Sequence, residues 1–337
     1  MPIPPWLRVA ALGRIVSQLG GDTRAAAERL AENAASFGID LRLLFGVLSP
    51  NGRQVEEAVL GVIAPGRAAM LFLSEPPRGG DRDATRALAG RVASLHAACQ
   101  HFSSQTDVRL VQSLHRPEET WASEALQAAG FLPVGTLDYL ARTIRSFEPG
   151  LPRPPFVAQT LDSGVTLKPL TAFSPAATFR WEHCESTLIA ALDASYQDTL
   201  DCPELCGLRE TRDALAAHRA TGHFDPSLWW IAELDGRPEG CMLLSLSPEQ
   251  GVVELVYVGL SPALRGKRVG SRLLALGLGQ AFARSREPGV RVDAMTCAVD
   301  QRNTPALRLY ERAGFTRVSA RCAAVRALRP QALASGN

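Results

Sequence analysis

Residues 256–274 read VYVGLSPALRGKRVGSRLL, an apolar strand-like run that leads through a short basic loop into an amphipathic helix. The first turn of a helix carries backbone amides without internal partners, and the helix dipole places positive potential at the same end. Gly266 and Gly270 let a ligand approach the backbone closely, while the basic side chains of the loop add charge. The stretch predicts a site for an anion such as a pyrophosphate, although a basic loop that only caps a helix has the same pattern.

A second patterned stretch, residues 303–315, reads NTPALRLYERAGF. Ala306, Leu309 and Tyr310 recur with helical spacing and lie on one face, and Gly314 is a typical helix-ending residue. On the residues alone, Tyr310 is explained equally well as a core aromatic.

Together the two stretches resemble the GNAT superfamily of N-acetyltransferases. The family's cofactor loop has the pattern Arg/Gln-x-x-Gly-x-Gly/Ala, which Arg265 and Gly270 match, whereas Arg268 stands where the family usually has glycine. An ordinary residue can still present its amide if the loop keeps a negative φ, so we expect cofactor binding to survive this departure. The segment from Asn303 to Phe315 fits the family's Asn-x-x-Ala-x-x-Leu-Tyr-x-x-x-Gly-Phe pattern almost completely.

The resemblance implies an acyl-CoA-dependent N-acyltransferase, most simply an N-acetyltransferase, in which a primary amine attacks acetyl-CoA or another acyl-CoA directly. Tyr310 would then protonate the departing thiolate and Asn303 would bind the pantetheine arm, with no metal required. The implied cofactor-binding residues are Val256, Tyr257, Val258, Arg265, Gly266, Lys267, Arg268, Val269, Gly270, Ser271 and Asn303.

Glu254 is a candidate general base, because it lies in the apolar strand VVELVYV and the attacking amine must lose a proton. Some members of the superfamily use a glutamate near this point. Burial has to raise its pKa for this role, and a solvent-facing charge or a structural ion pair would explain the residue equally well.

The segment SYQDTLDCPE, residues 195–204, lies where the family places its variable acceptor-binding segments. Tyr196, Asp198 and Asp201 are therefore candidate substrate contacts, with a solvated loop as the alternative. A zinc site is a further alternative for this region, on the spacing of Cys202, Cys206, His218 and His223. The family needs no metal, and we expect none.

The proline-rich stretch 147–164, FEPGLPRPPFVAQTLDSG, predicts a linker between two domains, 1–146 and 165–337. Both halves show hairpin strands, a long helix, a strand, a short helix that ends in Ala-Gly-Phe, and a final strand. The tripeptide recurs at 129–131 and 313–315, which indicates a duplication. The predicted fold is α/β, with two tandem GNAT-like domains that each contain a mixed sheet covered by helices.

The first half lacks both chemical features. Its loop, residues 75–83, mixes glycine and arginine with acidic residues, and Leu126 and Gln127 stand where the short helix should have leucine and tyrosine. We therefore predict a degenerate N-terminal copy, in a layout like that of mycothiol synthase. A non-catalytic acyl-CoA-binding or scaffold protein is the alternative reading, motivated by Arg268 and by this degenerate half.

Bulk composition excludes several function classes. A formal net charge of +2 disfavours a dedicated nucleic-acid or membrane-surface protein, and the acceptor is expected to be a small-molecule or peptide amine. The seven scattered cysteines indicate reduced thiols, not a disulfide framework. With neither a signal-peptide pattern nor a run of 18 apolar residues, the sequence predicts a cytoplasmic enzyme. It gives no oligomeric state.

Overall fold

The computed structural model describes residues 1–17, 22–76, 84–144, 150–174 and 178–328. The chain forms two compact units. The N-terminal unit contains residues 1–135, 207–209 and 321–328, and the C-terminal unit contains residues 136–206 and 210–320. Within the described ranges, no helix is long and apolar enough to cross a membrane.

The N-terminal unit packs helices on a mixed sheet. Its helices are α1 (Arg8–Val16), α2 (Thr23–Asn33), α3 (Ala84–Gln105) and α4 (Thr120–Ala128), and its first strands are β1 (Leu44–Leu48), β2 (Val55–Ala64), β3 (Ala68–Leu73) and β4 (Leu110–His115). The strands lie in the order β1-β2-β3-β4. The β1-β2-β3 meander is antiparallel, whereas β3 and β4 are parallel and are connected through α3.

The C-terminal unit has a larger mixed sheet. Its strands are β5 (Leu132–Thr143), β6 (Gln159–Thr160), β7 (Val165–Pro169), β8 (Trp230–Leu234), β9 (Arg237–Ser247), β10 (Val252–Leu260), β11 (Ala294–Asp300) and the first part of β12 (Thr316–Ala327). Its helices are α5 (Glu185–Tyr196), α6 (Thr211–Arg219), α7 (Val269–Arg284) and α8 (Thr304–Arg312). From β5 the order is β5-β11-β10-β9-β8-β7-β6. Only β10 and β11 run parallel among the described pairs of this stretch.

The two halves of the sequence exchange their last strands. β5, from the first half, pairs antiparallel with β11 from Leu137↔Asp300 to Thr143↔Ala294. The end of β12, from the second half, pairs with β4 from Cys322↔His115 to Ala327↔Leu110. The predicted domains 1–146 and 165–337 therefore do not coincide with the compact units, because each half completes a sheet of the other. In the predicted linker 147–164, residues 147–149 lie outside the described residues, and Gln159–Thr160 form the edge strand β6.

The elements of the two halves are related by a constant shift along the sequence. β3, β4, α4 and β5 begin at Ala68, Leu110, Thr120 and Leu132, and β10, β11, α8 and β12 begin 184 residues later, at Val252, Ala294, Thr304 and Thr316. The parallel pairing also ends at equivalent residues, Leu71↔Ser113 and Leu255↔Cys297. A constant shift without insertions supports the duplication that the repeated Ala-Gly-Phe predicts.

The core of the C-terminal unit fixes α7 against the central strands. Trp229 and Trp230 are fully buried, and the Trp230 indole donates to Gln280 Oε1 of α7 at 2.9 Å. A Cβ on Gly277 of α7 would lie 3.1 Å from the Met242 sulfur of β9, so the helix approaches the sheet closely at this point. Each fully buried large side chain contributes about 1.5–3 kcal/mol. The helix that follows the basic loop is thus held rigidly. All seven cysteines are free thiols, five of them buried.

Candidate active site

The parallel strands β10 and β11 stop pairing before the end of β10, and the gap between their ends is called the cleft below. β10 pairs with β11 only from Val252 to Leu255, yet on its other edge it stays paired with β9 as far as Leu260↔Gly240. Among the described strands, none pairs with the β11-facing edge of β10 beyond Leu255. Backbone amides and carbonyls need hydrogen-bond partners, so this edge can receive an extended ligand.

A bulge in β10 sets which side chains share one face. The register with β9 shifts between Leu255 and Tyr257, so Val256 is the extra residue. A bulge reverses the alternation of side chains, which lets Glu254 and Tyr257 project toward the same side of the sheet. The contacts of Tyr257 define that side, because its hydroxyl lies 2.7 Å from Ser195 Oγ of α5.

Tyr257 also explains a glycine in the same strand. A Cβ on Gly259 would lie 2.7 Å from Tyr257 Cζ, which is closer than real Cβ contacts. The Tyr257 ring further stacks on His218 of α6 at 5.3 Å and meets the edge of Tyr196 at 5.8 Å. An aromatic wall made of Tyr196, Tyr257 and His218 therefore stands on the α5–α6 side of β10. His218 is absent from the predicted substrate contacts, because its spacing to His223 had suggested only the zinc alternative.

Glu254 is half-buried on this side of the sheet, and burial raises the pKa of its carboxyl group above the ordinary value. β10 is an internal strand, so Glu254 is not a charge at a sheet edge. Within the described residues it has no ion pair and no side-chain hydrogen bond. Both structural explanations that the sequence left open therefore find no support, and a half-buried carboxylate without a counter-charge suits a proton acceptor.

The basic loop ends in a left-handed residue. Arg268, the N-cap of α7, has φ 61° and ψ 9°, so the negative φ on which binding was expected to depend is not found at this position. The chain turns into α7 with a backbone conformation that glycine adopts freely, whereas an L-residue pays about 1–2 kcal/mol. The family's usual glycine at this position has a direct physical reason. Gly266 is also left-handed, at φ 76°.

The N-terminus of α7 is uncapped. No side chain accepts from its first amides, and its first turn contains no acidic residue. The first helical bond described here runs from Arg272 N to Arg268 O, at 3.2 Å, so the amides of Val269, Gly270 and Ser271 precede it. Lys267 and Arg268 are exposed beside them. These free donors, with the helix dipole and two cations, fit the pyrophosphate expected from the sequence.

Gly270 leaves space that the protein itself does not fill. A Cβ there would lie 3.5 Å from Leu309 and 3.7 Å from Leu260, which are ordinary van der Waals distances. No positive φ requires glycine at this position. The absence of a side chain at Gly270 therefore matters to a ligand, not to the fold.

The Arg265 side chain hydrogen-bonds to backbone carbonyls of the protein. Its guanidinium donates to the carbonyls of Leu260 at 3.0 Å, Asp198 at 3.0 Å and Gln197 at 2.6 Å, and lies 3.3 Å from that of Ser195. These contacts tie the loop to the C-terminal end of α5. Because its donors are already engaged, Arg265 holds the loop in place without offering its guanidinium to a ligand. Its place among the cofactor-binding residues stays a prediction.

Tyr310 and Asn303 lie on α8, which borders the cleft through β11. Tyr310 is 4% exposed and packs against Phe315 at a centroid distance of 5.6 Å. Burial, with smaller effects of Cys297 and Asp201, raises the pKa of Tyr310 well above its ordinary value, so it stays protonated. Asn303 caps α8, since its Oδ1 accepts from Ala306 N at 3.3 Å. This capping role leaves its contact with a pantetheine arm as a prediction.

An ionic network links the acceptor segment to the end of β11. Asp201 Oδ1 accepts from Asp300 N at 2.9 Å, and Asp300 Oδ2 accepts from Cys202 N at 3.2 Å. Arg302 bridges Asp300 and Glu204, at 2.6 Å to each. The sequence pattern predicted Asp201 but not Asp300, Arg302 or Glu204. The pairing of Arg302 with Glu204 spans 98 residues along the chain, so no local signal indicates it.

The two aspartates of this network titrate differently. Burial raises the pKa of Asp201. Burial alone would also raise the pKa of Asp300, but hydrogen bonds from the Arg302 side chain and backbone outweigh it and hold that pKa below the ordinary value. Asp198, by contrast, points into solvent and contributes its backbone carbonyl to Arg265, with φ 49°. Of the three expected acceptor contacts, Tyr196 lies beside Tyr257 and Asp201 reaches the end of β11.

The residues of the zinc alternative have different surroundings in the structure. Cys206 is exposed, Cys202 is buried against Asp300, and His223 pairs through its backbone with Leu246 at 2.8 Å. In the parts of the chain that the structure describes, no group of three or more His, Cys, Asp or Glu side chains is arranged around a common point. Cys297 is also buried, and its pKa is raised to about 12, so its thiol stays protonated.

The equivalent positions of the N-terminal unit carry other residues. The shift of 184 places Met70 at the position of Glu254 and Glu119 at that of Asn303. It places Ala125 and Leu126 at the positions of Leu309 and Tyr310, so the expected alignment of Leu126 and Gln127 with that pair is wrong by one residue. The predicted degenerate loop, residues 75–83, lies mostly outside the described residues. At these equivalent positions the N-terminal unit thus has no counterpart of Glu254, Tyr310 or Asn303.

Comparisons with known proteins identify a family for part of the chain. Residues 192–315 match the family model of the acetyltransferase (GNAT) family. The chain is 37% identical over 107 residues to a mycothiol acetyltransferase of Thermomonospora curvata, and 28% identical over 201 residues to one of Beutenbergia cavernae. The first match covers 32% of this chain and 34% of the relative, and the second covers 59% and 61%. The chain thus spans about a third to three fifths of the length of these relatives.

A solved structure shares the fold of both units. The chain resembles a GCN5-related N-acetyltransferase from Sphaerobacter thermophilus with a TM-score of 0.56 and 19% identity, over 98% of this chain and 95% of that one. At this identity the likeness shows the fold alone. It confirms the predicted α/β class with mixed sheets and helices.

Proposed function

We propose that this chain, whose residues 192–315 form a domain of the acetyltransferase (GNAT) family, is an N-acetyltransferase that moves an acetyl group from acetyl-CoA to a primary amine. The observation that carries the proposal is the unpaired edge of β10 beyond Leu255, which runs toward the uncapped N-terminus of α7. Enzymes of this family generally use acetyl-CoA as co-substrate. A cytoplasmic location is proposed on the sequence grounds given above.

The cofactor would be bound largely by backbone groups. The amides of Val269, Gly270 and Ser271 would bind the pyrophosphate, with Lys267 and Arg268 adding positive charge. The edge of β10 at Val256–Val258 would hydrogen-bond the pantetheine arm as a neighbouring strand does. Asn303, whose side chain caps α8 and hydrogen-bonds Asp201, would border the same arm.

Chemistry would take place between Glu254 and Tyr310. The amine loses a proton to Glu254 and attacks the thioester carbonyl, whose oxygen accepts from a backbone amide near Val258. As the new carbon–nitrogen bond forms, the carbon–sulfur bond breaks and its electron pair stays on sulfur. Tyr310, protonated at neutral pH, donates a proton to that thiolate. The reaction needs no covalent enzyme intermediate, because both substrates are held in one cleft.

The first experiment separates catalysis from mere binding. Wild type and Tyr310→Phe are compared for thermal stabilisation by acetyl-CoA and for thiol release with a panel of primary amines. The proposal predicts stabilisation of both proteins and amine-dependent thiol release by wild type. Stabilisation without turnover on any amine supports a non-catalytic binding protein, and the absence of stabilisation contradicts both functions.

The acceptor is proposed from the relatives' names. Mycothiol acetyltransferases are the relatives found for this chain, so the amine precursor that such an enzyme acetylates heads the panel. The aromatic wall of Tyr196, Tyr257 and His218 beside Glu254 suits a small amine with an apolar portion. Peptide amines form the second arm of the panel, and their preference over small amines would overturn this choice.

A further inference from the structure

The N-terminal unit contains a cavity of its own at the position equivalent to the C-terminal cleft. It lies between the ends of β3 and β4 and the start of α4, with a volume of about 80 Å³. Phe72, His115, Glu119 and Trp121 are among its lining residues. This volume exceeds the roughly 10–15 Å³ that a single water requires. The cavity thus has room for part of a small organic molecule.

Two buried polar groups line the cavity without a partner for one of their atoms. His115 is 8% exposed and Glu119 is 9% exposed. Within the described residues, His115 Nδ1 and Glu119 Oε1 have no hydrogen-bond partner, although Glu119 Oε1 lies 3.4 Å from Arg116 Nε in an ion pair. Leaving buried polar atoms unsatisfied is costly, so a native protein normally supplies a partner for them.

Two of these polar groups have no counterpart in the other copy. The shift of 184 places His115 at the position of Val299 and Ser123 at that of Leu307, whereas Glu119 stands at the position of the polar Asn303. The copy that lacks the tyrosine therefore carries two polar residues, His115 and Ser123, where the other copy has apolar ones. A copy that had only lost its function would have no reason to bury them together.

The hydrogen bonds that His115 and Glu119 already make determine which of their atoms can still bind a ligand. His115 Nε2 lies 2.8 Å from Ser123 Oγ, and Glu119 Oε2 accepts from Arg116 N at 2.7 Å. Because His115 Nδ1 and Glu119 Oε1 have no partner, they do not bond to each other, and no nucleophilic Ser-His-Glu triad is assembled. An ionised carboxylate only accepts, whereas the imidazole nitrogen donates when Ser123 donates to the other one. A hydroxyl group both donates and accepts, so it suits the donor at His115 Nδ1 as well as the acceptor at Glu119 Oε1.

The charges and the apolar surface of the cavity restrict the class of ligand further. Arg116 Nε lies 3.4 Å from Glu119 Oε1 and offsets its charge, so the cavity does not select a cation. Burial lowers the pKa of His115, against a smaller opposing effect of Glu119, so it is neutral at pH 7 and does not select an anion. Phe72, which is 45% exposed, and Trp121 offer apolar surface beside these polar atoms. Hydroxyl groups on an apolar carbon skeleton fit this combination.

We propose that the N-terminal unit binds a small neutral polyhydroxy compound, such as a sugar or polyol, with a hydroxyl group between His115 and Glu119 and its carbon skeleton against Phe72 and Trp121. This site is separate from the acetyl-transfer site and does not depend on it. The class of ligand follows from the donors, acceptors and apolar surface described above.

The test follows the imidazole nitrogens of His115 by long-range ¹H–¹⁵N NMR in the full-length chain. The chain has six histidines, and His115→Gln assigns the resonance. Glucose and glycerol are the probes. The proposal predicts a saturable shift of the His115 resonance with at least one of them, and a roughly tenfold weaker response in Phe72→Ala, an exposed position whose change leaves the core intact. Glu119→Gln, which keeps the shape of the side chain, should weaken the response as well.

Other outcomes overturn the proposal. Ethylammonium producing the saturable shift in place of the polyols would mean that the cavity selects a cation. A shift on adding acetyl-CoA, lost in Phe72→Ala, would mean residual cofactor binding. No saturable shift with glucose or glycerol up to their solubility would also contradict it. Acetyl transfer by Phe72→Ala should equal that of wild type, so failure of this site and failure of the proposed function are distinguishable.

Discussion

Leu255 is the last residue of β10 that pairs with β11, and its partner is Cys297. Beyond this pair the two strands part, although β10 continues to Leu260. The half-buried Glu254 precedes the point of separation, and the uncapped N-terminus of α7 follows the strand. The same pair occurs in the N-terminal unit as Leu71↔Ser113, where Ser113 Oγ donates to Leu71 O at 3.0 Å. One strand geometry therefore occurs twice, with different chemistry around it.

Removing the hydroxyl of Tyr310 should abolish most of the turnover without loss of the fold. Tyr310→Phe keeps the ring that packs on Phe315, while the proton donor is lost. We expect kcat to fall about 10²-fold or more, the usual range for a general acid, with KM for acetyl-CoA nearly unchanged. Tyr139→Phe on β5 is the matched control. Equal loss in both variants, or no loss in Tyr310→Phe, would contradict the assignment.

Ionisation of Glu254 should make the reaction faster as the pH rises. Burial raises the pKa of its carboxyl group, and only the ionised form accepts a proton, so kcat/KM should rise as the pH passes that raised pKa. Glu254→Gln should remove this limb and lower the rate about 10²-fold, whereas exposed Glu249→Gln should retain it. An unchanged profile in Glu254→Gln would show that another group, or water, accepts the proton.

The same shift predicts an effect on stability. A raised pKa means that the folded state binds the proton more tightly, so the stabilisation is present at low pH and is lost as the pH rises through the raised pKa. Glu254→Gln should therefore lose less stability than wild type between the ordinary and the raised pKa of Glu254. Denaturant unfolding of both proteins across that pH range measures the difference. Parallel curves would contradict the burial of this carboxyl group.

Arg268→Gly should stabilise the protein. The residue has φ 61°, and relieving a left-handed L-residue is worth about 1 kcal/mol in the free energy of unfolding. Arg67→Gly, at φ 52° in the N-terminal unit, is the matched control and should give a similar gain. Only Arg268→Gly should reduce the salt dependence of acetyl-CoA affinity, since it removes a cation beside α7. If Arg268→Gly destabilised the protein, the contacts of the Arg268 side chain would contribute more free energy than the left-handed backbone costs.

Gly270→Ala tests the approach of the pyrophosphate. The added Cβ meets only Leu309 and Leu260 at ordinary distances, so stability should be kept. KM for acetyl-CoA should rise about tenfold, because a methyl group would separate the ligand from the amides of the first turn. Gly13→Ala in α1, where a Cβ would lie 3.9 Å from its nearest neighbours, is the control. An unchanged KM would place the anion elsewhere.

The local elements could be predicted from the sequence, whereas their long-range partners could not. The patterns of 256–274 and 303–315 predicted the strand, the loop and both helices to within a residue or two, because periodicity and helix-ending residues are local signals. Arg265 was expected among the cofactor-binding residues, but three of its four backbone acceptors lie 67 to 70 residues earlier in the chain. The left-handed backbone at Arg268 could not be inferred either, since arginine is an unusual residue for it.

The strand exchange could not be predicted from local sequence signals either. β5 and β12 have the same length and begin 184 residues apart, at Leu132 and Thr316, so each has a pattern suited to either sheet. Tertiary pairing alone decides that β5 lies beside β11. Asp138 of β5 then binds Gln301 at 2.8 Å and Arg317 at 2.7 Å, close to the start of α8. The first half of the sequence thus supports the region that carries Asn303 and Tyr310.

A truncated chain should therefore fail. Residues 165–337 lack β5 and leave the edge of β11 unpaired over seven residue pairs. We expect this fragment to show no cooperative unfolding transition and no acetyl-CoA binding, measured by circular dichroism and calorimetry. A fragment that unfolds cooperatively and binds acetyl-CoA as the full chain does would show that the exchanged strand is dispensable.

The central claim is acetyl transfer in the cleft between β10 and β11. The most direct measurement incubates the full chain with carbon-13-labelled acetyl-CoA and the amine panel, and quantifies acetylated amine and free CoA by mass spectrometry. The account predicts labelled amide and CoA in equal amounts with wild type, and at least 10²-fold less of both with Tyr310→Phe. CoA release without labelled amide on any amine, or equal product from Tyr310→Phe, would contradict it.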